Sequence, residues 1–224
     1  MPANGEISDD METSGAVERI IRGPDCIAEG AAHLSGIEPR FRHAVEQTGP
    51  LPLRLRRDGF PALLDAIVSQ QVSLAAADAI WGRLKKAGLT GPRKLKAASD
   101  DELRACGLSR QKMRYARALA DSNIRYRQLR ELPTEEVVVT LTEVPGIGRW
   151  TAEIYSMFSL GRADVFAPGD LALQESARIL FEMNDRPTEK ALREMSEAWS
   201  PWRAVAARLL WAYYRHAKER EGIR

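Results

Sequence analysis

Only two cysteines occur in the chain, Cys26 and Cys106, 80 positions apart. Two thiols support neither a four-thiolate iron–sulfur cluster nor an all-cysteine zinc site. So sparse a cysteine content fits a reducing, cytoplasmic compartment. No run approaches the roughly 20 apolar residues that a membrane-spanning helix needs. The N-terminus, with Glu6, Asp9, Asp10 and Glu12, lacks the basic start and apolar stretch of a secretory leader. What is present is 224 residues, 44% of them hydrophobic and 29% charged. That is enough for a packed core in one generous domain or two small lobes.

A net charge of +2 conceals an uneven distribution. Residues 1–30 carry seven acids against Arg19 and Arg22, a local charge of −5, and the rest of the chain is +7. Between positions 104 and 130 stand eight basic residues, Arg104, Arg110, Lys112, Arg114, Arg117, Arg125, Arg127 and Arg130, and one acid, Asp121. Such a cluster suits a phosphate-facing surface or a solvated helix face, and charge alone does not choose.

Residues 1–15 are polar and acidic and predict a disordered tail. Beyond them helical periodicity runs almost throughout. Leu63, Leu64, Ile67 and Val68 follow Pro61, which suits a first helical turn. Ser73 is placed to cap a helix holding Ala76, Ala79 and Ile80. Met113, Ala116, Leu119 and Ala120 repeat the spacing inside the basic stretch. Ser200-Pro201 predicts a cap and first-turn proline for a last helix reaching about Glu219. Val137-Val138-Val139-Thr140 has strand-like composition, yet the start signal Thr134-Glu135-Glu136 and the lack of a partner strand favour helix. The fold class predicted is all-α.

The richest stretch is Leu141-Thr142-Glu143-Val144-Pro145-Gly146-Ile147-Gly148-Arg149-Trp150-Thr151-Ala152. A helix should end near Val144, Gly-Ile-Gly should reverse the chain, and a second helix should follow. Amides of Gly146, Gly148 and the next turn would face outward at the positive end of a helix dipole, an anion site suited to a DNA phosphate. Downstream comes Ala163-Asp164-Val165-Phe166-Ala167-Pro168-Gly169-Asp170, a loop leading into a helix over Leu171 to Phe181. Asp170 is positioned to cap that helix.

Hairpin and aspartate loop together resemble the helix-hairpin-helix/Gly-Pro-Asp DNA glycosylase superfamily. Ile67-Val68-Ser69-Gln70-Gln71-Val72-Ser73, Gly107-Leu108-Ser109 with Lys112 and Tyr115, and Pro201-Trp202-Arg203 extend the likeness over roughly residues 36–215. The nearest branch is that of DNA-3-methyladenine glycosylase II, here in a short form without the N-terminal β domain many members carry. The resemblance implies a two-lobed helical fold with a cleft between lobes. Residues 1–35 would form the tail and an extension, 36–60 with 161–224 one lobe, and 61–160 the lobe carrying the hairpin.

The resemblance also implies site residues. Asp170 matches the catalytic aspartate, whose carboxylate stabilises positive charge developing at C1′ when a base leaves. Asp164 falls outside that role and reads as a solvated acid. Trp150 stands where strand-cutting relatives carry a Schiff-base lysine, which implies a monofunctional enzyme. Taken as a sequence pattern, Trp150, Ile154, Met157 and Phe158 also make an ordinary apolar stripe, and the Trp150 ring can both pack there and border the substrate pocket that the resemblance implies. Trp211 lies about 180° from the stripe of Trp202, Val205, Ala206 and Leu209. It meets either a second packing surface or a cavity, and the resemblance makes it the base-stacking tryptophan. Ile154 replaces a pocket tyrosine, with Tyr155 projecting elsewhere.

Gln70 and Gln71 resemble the loop that fills the gap left by a flipped base. Gly146, Gly148, Arg149 and Thr151 would contact DNA. The carbonyls of Thr142, Val144 and Ile147 would offer a site for Na⁺ or K⁺, with no other cofactor required. The function implied is excision of alkylated purines from double-stranded DNA by a monomer. Alternatives are a non-catalytic hairpin module and a glycosylase for neutral bases such as hypoxanthine or uracil.

Overall fold

The computed structural model describes residues 18–220. Among them are thirteen helices and, besides these, one isolated antiparallel bridge between Ile20 and Arg162. The expected acidic tail over 1–15 lies outside the described residues. No described helix is long and apolar enough to cross a membrane.

The first two helices, α1 (Pro24–Ile37) and α2 (Pro39–Thr48), each begin at a proline, as does α5 (Pro92–Ala97). Proline has no amide to lose in a first turn. Side-chain caps start others: Ser73 for α4 (Leu74–Ala87), Ser109 for α7 (Arg110–Asp121) and Thr188 for α12 (Glu189–Glu197). Ser99 and Glu102 form a reciprocal capping box on α6 (Asp100–Ala105). Pro61 opens α3 (Phe60–Ser69), and a short α8 (Tyr126–Leu129) precedes α9 (Thr134–Thr142). The valine run therefore is helical, and α9 stops two residues before Val144. The remaining helices are α10 (Arg149–Phe158), α11 (Leu171–Leu180) and α13 (Arg203–Arg220).

Two expectations need correction. The last helix begins at Arg203, not after Ser200, because the Ser200 hydroxyl donates to Asp164 Oδ2 at 2.8 Å instead of capping. Asp164 is not a solvated acid. It accepts from Arg203 Nε at 2.7 Å and Nη2 at 3.0 Å, tying the aspartate loop to the start of α13.

Buried residues fall into two clusters. One is drawn from positions 60–160, with Leu63, Leu64, Ile67, Leu84 and Leu141 sealed from solvent. The other joins Leu34 and Phe41 to Met157, Leu173, Trp199, Trp202 and Leu209. Helix α10 serves both, giving Ala152 and Tyr155 to the first and Met157 and Phe158 to the second. Tyr155 borders the same cavity as Ile154, against the expectation that it projects elsewhere; its hydroxyl accepts from the Gly59 amide at 2.9 Å, and burial pushes it up to about 12.

Just after α10, Arg162 holds the halves together. Its Nη2 donates to the carbonyls of Leu129, Arg130 and Leu132 at 3.2, 3.0 and 2.6 Å, and its Nη1 pairs with Glu18 at 2.6 Å. Glu18 in turn accepts from the Thr134 amide and hydroxyl at the head of α9, at 2.7 Å each. Replacing Arg162 by Met should leave these buried acceptors unpaired and cost about 3–5 kcal/mol. Urea denaturation of the two proteins measures it, with the midpoint expected to fall and the slope to stay the same.

Candidate active site

The turn between α9 and α10 is built on short backbone bonds, with the Ile147 amide donating to the Val144 carbonyl at 3.0 Å. Gly146 has φ of +94°, and a Cβ there would stand 2.3 Å from Cγ of Tyr115. Both the conformation and the ring demand glycine. Gly148 differs: it is the N-cap of α10, and a Cβ added to it would meet nothing within 4 Å. The amides that open α10 are by position without helical partners, and they start from this uncrowded point.

Of the side chains expected to contact DNA at this hairpin, Arg149 is exposed and held in ion pairs, and Thr151 is buried. Arg149 donates to both Glu135 oxygens at 2.9 and 2.8 Å and to Glu153 at 3.0 Å. Those carboxylates hold its guanidinium above the usual arginine range, and it holds Glu135 below the usual carboxylate range. Glu153 is 2% exposed and also pairs with Arg193 of α12 at 3.0 Å. Burial raises its carboxyl, opposed by both arginines. Thr151 is buried and borders a half-open cavity. Beside the outward-facing backbone, Arg149 keeps 43% of its side chain exposed.

Asp170 enters at the head of α11. Its Oδ1 accepts from the amides of Ala172 and Leu173 at 2.9 and 3.1 Å, the expected cap. The same oxygen accepts from the Trp211 indole at 3.2 Å, and Oδ2 accepts from the Trp150 indole at 3.2 Å. Three distant segments thus meet on one carboxylate. The loop behind it is fixed by Gln174, whose amide nitrogen donates to Pro168 O at 2.8 Å.

Trp150 is 45% exposed, so the apolar stripe read along α10 ends at half-buried Ile154 and does not include it. Trp211 is half-buried and leans on Phe158, with ring centroids 5.8 Å apart. Phe158 also borders a cavity of about 500 Å³ whose walls include Ala62, Trp81 and Ile154, with Arg56, Asp65 and Lys85 among its polar groups. Burial raises the Asp65 carboxyl.

Gln70 donates through Nε2 to Gly146 O at 2.8 Å, joining the turn after α3 to the hairpin. Gln71 is exposed, with φ of +55°. The basic stretch divides. Arg104 and Arg130 pair with Asp101 and Asp58, Arg117 with Asp100 and the Ala98 carbonyl, and Lys112 is buried against Val68 O. Among the described residues Arg110, Arg114, Arg125 and Arg127 have no ion pair. Half of that stretch is therefore structural. Thr142 uses its hydroxyl on Val138 O, and the described residues include no group of three His, Cys, Asp or Glu placed around a metal.

Sequence reasoning did not find Phe158 as Trp211's partner, nor Gln174, nor the indole bonds to Asp170. Only the aspartate loop's Pro168-Gly169-Asp170 followed by Gln174 carried a local signal for one of them.

Comparison with known proteins places these features in a family. A family model described as HhH-GPD superfamily base excision DNA repair protein matches residues 64–201. DNA-3-methyladenine glycosylase 1 of Schizosaccharomyces pombe is 30% identical over 197 residues, covering 83% of this chain and 86% of that one. A structure of the S. pombe 3-methyladenine DNA glycosylase with abasic DNA superposes with a TM-score of 0.71 at 31% identity, covering 82% of this chain and 95% of that one. DNA-3-methyladenine glycosidase of Bacillus halodurans superposes at 0.77 and 32% identity, with 90% and 94% covered.

The two hairpin glycines should separate by stability. Gly146→Ala combines positive φ with a collision against Tyr115 and should cost at least about 1–2 kcal/mol. Gly148→Ala, with space around its Cβ and φ of −87°, should melt within about 1 °C of the parent. Differential scanning calorimetry of both variants checks the contrast.

Proposed function

The chain belongs to the HhH-GPD superfamily of base excision DNA repair proteins, and from that premise we propose that it excises alkylated purines of the 3-methyladenine type from double-stranded DNA. The observation that carries the reading is Asp170, whose two oxygens take four hydrogen bonds from the head of α11 and from two indoles. A carboxylate so restrained cannot swing away, and Trp150 and Trp211 set its plane.

Breaking the N-glycosidic bond sends the C1′–N electron pair onto the base and leaves positive charge on the sugar. A fixed anion beneath C1′ lowers the energy of that state. Water then adds to C1′ and gives up a proton, leaving an abasic site. Glycoside hydrolases usually need a second carboxyl group to protonate the leaving group. A ring-alkylated purine is already cationic and departs neutral, so one aspartate suffices. Trp211 and Trp150, both beside Asp170, supply electron-rich rings for such a cation. The relatives named for 3-methyladenine support this substrate class.

Gly146, Gly148 and the α10 amides would take a DNA phosphate, while Gln71 would occupy the space of the extruded base with Gln70 behind it. Arg149 would contact DNA from the surface while locking α10 to α9 and α12, and Thr151 would act from within the protein. The carbonyls of Thr142, Val144 and Ile147 would hold a monovalent cation. The Val144 oxygen already takes the Ile147 amide and has a second lone pair for it. One copy carries all these parts, which supports action as a monomer.

Asp170→Asn keeps the oxygen facing Ala172 and Leu173 but puts an NH₂ near an indole donor. Single-turnover excision of 7-methylguanine should fall about 10²–10³-fold or more. Duplex affinity should hold, and stability should drop by only about 1 kcal/mol. Excision near the wild-type rate would refute the mechanism.

Trp150 in place of an amine predicts the product. End-labelled duplex with one excisable base should yield an unbroken strand, cut only after hot alkali, and borohydride should trap no protein–DNA adduct. Strand cleavage with a trapped adduct would identify a lysine nucleophile instead.

A further inference from the structure

Helix α7 stands behind both parts of the proposed DNA grip. Lys112, on its first turn, is 8% exposed, and its Nζ donates to Val68 O at 2.6 Å. That carbonyl belongs to the last turn of α3 and by position has no amide of its own helix. A cation there also meets the negative end of the α3 dipole. Burial holds the ammonium below the usual lysine range, and no carboxylate among the described residues pairs with it. An apolar side chain of this length would fill the space without desolvating a charge.

Three residues along, on the same face of α7, the Tyr115 ring occupies the space that Gly146 leaves open. Gln70 closes the third side by donating to Gly146 O at 2.8 Å. Helix α7, the turn after α3 and the hairpin therefore form a closed triangle. At one corner Gln71 is exposed and held at φ of +55°, a conformation non-glycine residues keep only where their surroundings impose it. A half-open cavity of about 380 Å³ between the turn after α3 and α7 is bordered by Gln70, Gln71, Ser109, Lys112 and Tyr115.

We infer that Lys112 is a positioning residue, whose ammonium sets the Gln70–Gln71 turn in register with the hairpin. Phosphate contact at Gly146–Gly148 and insertion at Gln71 then happen in one docking geometry. Lys112 touches neither DNA nor the reacting atoms. The inference rests on the DNA reading above and concerns extrusion of a paired base, not phosphate binding or bond cleavage.

The test compares Lys112→Met, Lys112→Arg and Gln70→Met in the full chain, each first melted to show that it folds. One duplex carries 7-methylguanine paired with cytosine, and a second carries it opposite an abasic analogue, where no pair has to be opened. Lys112→Met should slow excision from the paired site about tenfold or more, and from the unpaired site less than about threefold, with duplex affinity held within about twofold, and Gln70→Met should slow the paired site as well. Lys112→Arg should restore most of the paired rate. Equal losses on both duplexes, or none, overturn the inference.

A second arm works without chemistry. In the Asp170→Asn background, 2-aminopurine beside the paired lesion should brighten on binding, and Lys112→Met should suppress that rise. An unchanged rise overturns the role of Lys112 whether or not the parent protein excises anything. A parent that brightens 2-aminopurine yet excises neither duplex refutes the glycosylase reading alone. If Lys112→Met does not fold, Lys112→Gln takes its place on the same two duplexes, and a normal paired-to-unpaired ratio there overturns the inference.

Discussion

The contact on which the rest depends is made by Arg162, between α10 and the aspartate loop. Its guanidinium binds three carbonyls around Leu129–Leu132 and the Glu18 carboxylate, with 6% of its side chain exposed. Backbone bonds from Ile21 to Gly161 and from Ala163 to Arg19 lay the entering chain along the same joint. Trp150 lies before this joint and Asp170 after it, yet they must meet within hydrogen-bond distance. A shift of the joint would separate them, because a bond of 3.2 Å between an indole and a carboxylate has little slack.

A second polar lock lies along α10. Glu153 is sealed from water but receives Arg149 and Arg193, which connect α10 to α12 and, through Glu135, to α9. Burying a carboxylate is tolerable here because two guanidiniums offset the lost hydration. The lock also sets the heading of α10, whose first turn presents the hairpin amides and whose neighbouring faces offer Trp150 to Asp170 and Phe158 to Trp211. One helix thus orients the phosphate contact, the carboxylate and the aromatic wall.

Arg208 shows the same economy. It is 2% exposed, binds the Leu53 and Ala204 carbonyls, and lies 4.7 Å over the Phe158 ring. Burial and neighbouring Arg54 push it down to about 10. It thereby supports from behind the ring on which Trp211 leans. Cations used as braces recur at Lys112, which is buried, and at the partly exposed Arg117 and Arg149.

Local signals settled the helices, the hairpin turn and the Asp170 cap, because each depends on residues within four positions: Pro or Ser at a first turn, Gly-Ile-Gly at a reversal, Asp before a helix. The same signals placed Trp211 off its helix's apolar stripe. They could not say what Arg149, Lys112 or the basic run would meet, since an arginine before a carboxylate 14 positions back looks in sequence like one before a phosphate. Tertiary packing decided that: Lys112 finds its acceptor 44 positions away and Trp211 finds Asp170 41 positions away. By itself the sequence determined the turns, the caps and the helices, since backbone preference and capping are local, and the chemistry assigned to Asp170 came with the family resemblance. Which charges face outward and which two indoles restrain the carboxylate was decided only by the tertiary structure, because ion pairs and buried hydrogen bonds form between segments that chain distance does not relate.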